Sequence, residues 1–249
     1  LGGPHCFLAE TSVSLSHMER MRINKYLSGA GYCSRRKADT LIEKGIVYIN
    51  GYRAELGSVV DPGDEVRVND DFVSIEGKQD IYLAFHKPEG VIVTADKEAD
   101  NTVYDYLNGD ERVIYIGRLD VNSCGLLLFT NNGDVANKLL RSEEEHEKEY
   151  VVRLNKPYTR RFLESMRDGV VIEGRITKPA RIRKMNTKMC KLIITEGRNR
   201  QIRKMCEALG YEVTFLKRTR FGNVKLGDLG PGNSRMLTKT ERRELLASL

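Results

Sequence analysis

The stretch Tyr115-Ile-Gly-Arg-Leu-Asp-Val-Asn-Ser-Cys-Gly-Leu-Leu-Leu-Phe-Thr130 sets two apolar runs, 113–116 and 126–130, on either side of a polar connection that carries one acid, Asp120. Runs this short, bounded by turn formers, read as strands. The connection then reads as a loop at the rim of a sheet. Such a loop can hold a carboxylate whose ionisation is set by burial and by a nearby arginine. An aspartate in a turn is also a plain turn former, so spacing alone leaves both roles open for Asp120.

Outward from this stretch, short strands alternate with helices. The runs 81–85, 148–154, 180–185, 190–195 and 212–219 join 113–116 and 126–130 as predicted strands. Helices are predicted over 159–168 and 199–209, the second stopped by Gly210, and a last helix opens on Thr238-x-x-Glu241, a capping-box pattern. This predicts an α+β domain over 81–249 around a mixed, mainly antiparallel sheet. Upstream, Ile23, Tyr26 and Leu27 share one helical face and Gly29/Gly31 end the run. Ser34 is placed to cap a second helix with Ala38, Leu41 and Ile42 inward and Gly45 after it. Strands follow at 46–49 and 65–68, with turns at Asn50-Gly51 and Asp61-Pro62-Gly63. The expected organisation is a small helix–helix–strand module over 18–77, a linker at 78–80, and the larger domain. Residues 1–17 have neither a basic leader nor a sustained apolar stretch and read as a disordered leader or expression remnant, with Met18 or Met21 the expected start.

At 249 residues, 40% hydrophobic and 31% charged, with 22 Gly and 6 Pro, the composition excludes collagen-like, disulfide-dense and mainly disordered chains. No apolar run approaches the roughly 18 residues of a membrane span. The five cysteines are scattered, with no C-x-x-C pair, which suits a reducing cytoplasm. The net charge of +6 favours an anionic partner without naming it. Its distribution says more. Between Arg20 and Lys44 seven basic residues face two acidic ones, and Arg35, Arg36 and Lys37 fill a helix start where the dipole disfavours cations. Phosphate would compensate them, and a solvated polar face is the plain alternative. From Glu173 to Arg220 fourteen basic residues outnumber four acidic ones, densest at Gly197-Arg-Asn-Arg-Gln-Ile-Arg-Lys204. On a helix Arg200 would lie beside Arg203 and Lys204, so an anion should answer them: RNA phosphate, an internal carboxylate, or both.

Phosphate-loop, dinucleotide, zinc-protease and nucleophile-elbow signatures are missing, and His86 and His146 read as packing or surface residues. What the chain does carry is a constellation. Gly117-Arg-Leu-Asp120 with Ser123-x-Gly125-Leu-Leu, then Lys148-Glu-Tyr150, then Gly197-Arg-Asn-Arg-Gln-Ile-Arg203-Lys-Met resemble, in order and spacing, the three motif regions of the RsuA/RluB/RluE/RluF-type ribosomal RNA pseudouridine synthases. The segment 22–68 resembles the S4-like RNA-binding domain that these enzymes carry at their N-terminus. His146-Glu-Lys-Glu-Tyr150 and the stretch 211–223 lean toward RluF-like members acting on large-subunit rRNA.

The resemblance implies a cofactor-independent, metal-free isomerisation. The N1–C1′ bond of a uridine breaks, the uracil turns while bound, and C5 joins C1′. Asp120 matches the catalytic aspartate, required ionised, as nucleophile or as acceptor of a sugar proton. Arg203 matches the arginine that pairs with it, and Tyr150 the tyrosine that stacks on the base. Arg118 matches the residue that enters the stack when the uridine leaves, offsetting a flipping cost of a few kcal/mol. Arg22, Lys25, Arg35, Arg36, Lys37 and Arg53 would hold neighbouring RNA, and Arg198, Arg200 and Lys204 would guide phosphates near the site. Val121-Asn122 and Asn199-Arg200 depart from the pairs common in related groups, which leaves subgroup and target open. The expected partner is ribosomal RNA, as a stem-loop or an assembly intermediate, bound by a monomer in the cytoplasm with no membrane. The rival reading is a non-catalytic RNA-binding or ribosome-assembly protein.

Overall fold

The structure, a computed structural model, describes residues 19–75, 77–96, 98–107, 112–141 and 146–249. The expected leader at 1–17 lies outside these residues. The chain divides into two compact units between Lys78 and Gln79.

The first unit is built as β1 (Met21–Arg22), α1 (Ile23–Gly29), α2 (Arg35–Glu43), β2 (Val47–Ile49), β3 (Tyr52–Arg53), β4 (Val59–Val60), β5 (Val66–Val68) and β6 (Asp71–Val73). Ile23, Tyr26 and Leu27 go inward from α1 because they fall at helical spacing. The Ser34 side chain accepts the Lys37 backbone N–H at 3.1 Å and so starts α2. Asn50 and Gly51, both at positive φ (52° and 80°), make the tight turn between β2 and β3. The strands order as β3-β2-β5-β6, all antiparallel, over a core that includes Val47, Val66, Val68 and Val73.

The second unit runs β7 (Tyr82–Lys87), a 3₁₀ turn (Val103–Tyr106), β8 (Ile114–Ile116), β9 (Cys124–Thr130), α3 (Gly133–Arg141), β10 (Lys148–Leu154), α4 (Arg160–Asp168), β11 (Val171–Ile172), β12 (Arg175–Ile176), β13 (Arg181–Lys184), β14 (Met189–Ile194), α5 (Gln201–Ala208), β15 (Val213–Phe221), β16 (Val224–Lys225), β17 (Ser234–Met236) and α6 (Lys239–Ala247). Among the described residues one nine-stranded sheet orders as β13-β14-β10-β15-β9-β7-β17, with β8 on β9 and β16 on β15. Its strands pair antiparallel except β15 with β9. The fold class is therefore α+β with a mixed, mainly antiparallel sheet.

All seven residues of β9 are buried, as expected of a strand covered on both faces. Leu127 and Phe129 enter one core with Val152 and Leu192, while Leu126 and Leu128 enter the other with Ala136, Phe221 and Leu245. The helix expected over 199–209 starts two residues later. Arg200 is its N-cap, in the left-handed conformation (φ 51°, ψ 31°), outside the helix that carries Arg203 and Lys204. Helix α3 and strand β17 were not expected. No described helix is long and apolar enough to cross a membrane.

Candidate active site

The seven residues 117–123 link β8 to β9 and carry Asp120, whose side chain is 29% exposed. A turn closes within them, the Ser123 N–H donating to the Asp120 carbonyl at 3.0 Å. The loop is then gripped from two directions. From the β7 end, the Gly90 N–H donates to Val121 O at 2.8 Å. Lys87, last residue of β7 and wholly buried, donates from Nζ to Pro88 O at 2.8 Å, Ser123 O at 2.8 Å and Val121 O at 3.2 Å. Burial pushes its pKa down to about 8, although Cys124, Asp120 and Glu89 pull it up. From α5, Arg203 donates through Nη2 to Asn122 O at 2.6 Å and Ser123 Oγ at 3.2 Å, and through Nη1 to Val213 O at 3.0 Å. A buried ammonium and a nearly buried guanidinium thus bind three successive carbonyls of the loop, those of Val121, Asn122 and Ser123, with charge-assisted hydrogen bonds.

The same Arg203 turns its Nε toward the carboxylate, 3.9 Å from Asp120 Oδ2. That Nε is buried and has no hydrogen-bond partner. Burial and the neighbouring Arg200 lower the Arg203 pKa, and Asp120 and Glu89 raise it. Arg200 reaches the same oxygen, Nη1 to Oδ2 at 3.8 Å, and lies 3.5 Å from Asn122 Oδ1. Two guanidinium groups therefore converge on one carboxylate oxygen. Asn122 and Arg200, two of the residues that depart from the common pattern, meet here.

Tyr150 lies on the same sheet by register. Lys87 pairs with Gly125, Gly125 with Arg218, and Arg218 with Tyr150, so the four form one cross-strand row. With strands about 4.8 Å apart, the Tyr150 backbone is on the order of 10 Å from Gly125. The ring is 8% exposed and joins the core that also takes Leu119 of the loop. Gly125 allows the one parallel seam. Its φ is +108°, and a Cβ there would lie 2.2 Å from the Arg218 carbonyl oxygen.

The other residues singled out scatter in role. Arg118 is exposed on the Asp120 loop, and Arg35, Arg36 and Lys37 are exposed on the first turn of α2. Arg22 is the exposed N-cap of α1 and Lys25 is half-buried on it. Arg53 is exposed but lies flat on Gly45, where a Cβ would meet its Nη2 at 1.9 Å. Arg198 donates to Arg175 O and Ile176 O at 3.2 and 2.8 Å and faces Glu196 at 3.3 Å. Lys204 pairs with Glu173 at 2.6 Å. For these two, internal acceptors already answer the charge. His86 is a packing residue, buried, its Nδ1 2.6 Å from Leu229 O. The residues that sequence reasoning missed are Lys87, Asn122 and Ser123. Ser123 and Asn122 lay within or beside the motif without a role being given to them, and the signal for Lys87 is a lysine ending an apolar strand directly before a proline.

Residues 81–208 match the family of RNA pseudouridylate synthases, and residues 21–66 match the S4 domain. The chain is 46% identical over 227 residues to the dual-specificity RNA pseudouridine synthase RluF of Escherichia coli (strain K12), covering 90% of this chain and 78% of that protein. It is 38% identical over 235 residues to the ribosomal large subunit pseudouridine synthase B of Bacillus subtilis (strain 168), covering 91% and 96%. A solved structure described as a crystal structure of pseudouridylate synthase superposes with a TM-score of 0.66 at 29% identity, covering 90% of this chain and 99% of that one. These matches set aside the reading as a non-catalytic RNA binder: the chain belongs to the RNA pseudouridylate synthase family, and is an isomerase with an S4 domain in front of its catalytic domain.

Proposed function

We propose that this chain converts uridine to pseudouridine in large-subunit ribosomal RNA, with Asp120 as the catalytic carboxylate. The observation that carries the reading is the convergence of Arg203 on both the Asp120 loop and the Asp120 carboxylate, from a helix more than 80 residues away in sequence. A partly exposed acid at the rim of a sheet is faced by two guanidinium groups, and both similar enzymes named above are pseudouridine synthases.

In this reading the everted uridine places C1′ by the Asp120 carboxylate, which acts as nucleophile at C1′ or accepts a sugar proton. The N1–C1′ bond breaks, uracil leaves as an anion and turns so that C5 faces C1′; C5 then joins C1′, displacing the Asp120 carboxylate or with return of the sugar proton, and the C5 proton is lost to solvent. Arg203 holds the Asp120 loop in place and faces its carboxylate. Tyr150 stacks on the uracil, since a ring face tolerates rotation of the base better than fixed hydrogen bonds do. Arg118 fills the gap left in the RNA stack. Arg22, Lys25, Arg35, Arg36 and Lys37 hold neighbouring phosphates from the S4 domain, with Arg53 at its sheet edge. Arg198 and Lys204 act on RNA indirectly, by tying β11 and β12 to α5. The enzyme works as a monomer in the cytoplasm, on an rRNA stem-loop or assembly intermediate.

The test is Asp120→Asn, measured by release of tritium from C5 of uridine in an rRNA fragment. Pseudouridine formation is lost while RNA affinity stays within about threefold, the pattern of an interaction made only in the transition state. Wild-type turnover by the variant would remove Asp120 from the mechanism.

A further inference from the structure

We propose that Arg200 is an exchangeable counter-ion of the catalytic carboxylate: in the RNA-free protein it lies over Asp120 and Asn122, and a phosphate of the incoming RNA takes it over. This deepens the assignment of Asp120 as the catalytic carboxylate and rests on it.

Two cations face Asp120 Oδ2, but they are held in different ways. The Arg203 side chain is 12% exposed and is fixed by three hydrogen bonds to Val213, Asn122 and Ser123. The Arg200 side chain is 44% exposed, and its contacts, 3.8 Å to Asp120 and 3.5 Å to Asn122, are at or beyond the limit of a useful hydrogen bond. Its backbone is in the left-handed region, which an arginine enters only when something holds it there. One guanidinium is part of the scaffold, and the other rests loosely at the mouth.

Charge points to an anion as the ligand for this site. Around Asp120 stand Arg200, Arg203 and Lys87 as cations, with Glu89 as the second acid. Arg200 and Arg203 also repel one another, which lowers the Arg203 pKa. A site with positive charge in excess, and with its most exposed cation least committed, is poised for an RNA phosphate. An exposed ion pair at 3.8 Å is weak. A guanidinium and a phosphate meet in a bidentate, charge-assisted pair, which is stronger. Binding of RNA therefore draws Arg200 outward and clears the solvent side of the carboxylate. Arg203 alone then remains as its cation during the reaction.

The experiment uses the full chain and an rRNA fragment carrying tritium at C5 of uridine. Arg200→Asn removes the guanidinium and keeps a residue that tolerates the left-handed backbone. The expected result is an RNA-binding salt slope shallower by about one unit, the loss of one phosphate contact. The accompanying fall in kcat/KM, about tenfold, lies in KM. Arg200→Lys restores most of the slope, because an ammonium also binds phosphate. Arg200→Gly serves as a second left-handed-compatible variant should Arg200→Asn melt early. A tenfold or larger fall in kcat with an unchanged salt slope would make Arg200 a fixed partner like Arg203 and overturn the proposal, as would a variant indistinguishable from wild type. Failure of the underlying assignment reads differently: it appears as wild-type turnover by Asp120→Asn, whatever Arg200 does.

Discussion

Replacing Lys87 by methionine asks whether the Asp120 loop depends on the ammonium beneath it. Nζ is wholly buried and donates to Pro88, Val121 and Ser123 carbonyls at 2.8–3.2 Å. A hydrogen bond from a charged donor is worth about 1.5–3 kcal/mol, and methionine keeps the volume while leaving three carbonyls without it. Against this stands the burial of the charge. Lys87 has moved from 10.5 to about 8, and at about 1.4 kcal/mol per pKa unit that is about 3 kcal/mol that methionine recovers. The net loss is about 3 kcal/mol, or about 6–12 °C in melting temperature for a unit of this size. Because two of the freed carbonyls follow Asp120 in its loop, turnover falls as well, by about a hundredfold for a displacement near 1 Å.

The alkaline behaviour gives the sign. Between about 8 and 10.5 the unfolded chain keeps a proton on this lysine that the folded chain has lost, so stability rises with pH across that window. The charged grip on the loop weakens over the same range, so single-turnover tritium release falls while the melting temperature gains. Lys87→Met abolishes both trends. A variant that melts with the wild type and turns over at its rate would show that the loop is held without the ammonium.

Arg203→Ala chiefly reduces turnover, by about tenfold or more, whereas neutralising Arg35 and Arg36 together weakens RNA binding and lowers the salt slope by about two units; equal effects on binding from both would refute that division. Gly125→Ala forces a Cβ to 2.2 Å from the Arg218 carbonyl at a φ of +108°, and is expected to open the parallel seam and leave the catalytic domain insoluble or melting far below wild type; a wild-type melt would contradict the close approach. His86 is buried, which lowers its pKa, so the unfolded state takes up a proton first as pH falls through about 6.5 and stability drops there. His86→Gln flattens the melting temperature between about pH 7.5 and about pH 5.5, and an unchanged acid limb would exclude His86 as its source.

Much of the architecture was legible because local chemistry specifies it. Ser34, Thr159 and Thr238 announce helices and accept the N–H groups that caps accept, and β10 spans the residues that its alternation marks. What stayed hidden depends on partners far along the chain. Lys87 reads as surface charge until Val121 and Ser123, 34 and 36 residues on, are brought to it. Helix α3 has no Ser or Thr cap to announce it; the Asn132 side chain accepts the N–H groups of Asp134 and Val135 and starts the helix there. Arg200 reads as a helical residue because its neighbours are helical, and its backbone turns the other way. The motifs named Asp120 and Arg203. They did not say that both would be held through loop carbonyls.

The grip of Arg203 on residues 122, 123 and 213 bears on how the enzyme comes to life during synthesis. The polypeptide emerges vectorially, at about 5–20 residues per second. The Asp120 segment is therefore made well before the helix that orients it, and the seam strand comes later still. A nascent or prematurely terminated product ending short of residue 203 has its acid and the Lys87 contacts but lacks the guanidinium that faces the carboxylate. Full alignment of the acid must therefore wait until α5 has been made, by which point most of the catalytic domain exists.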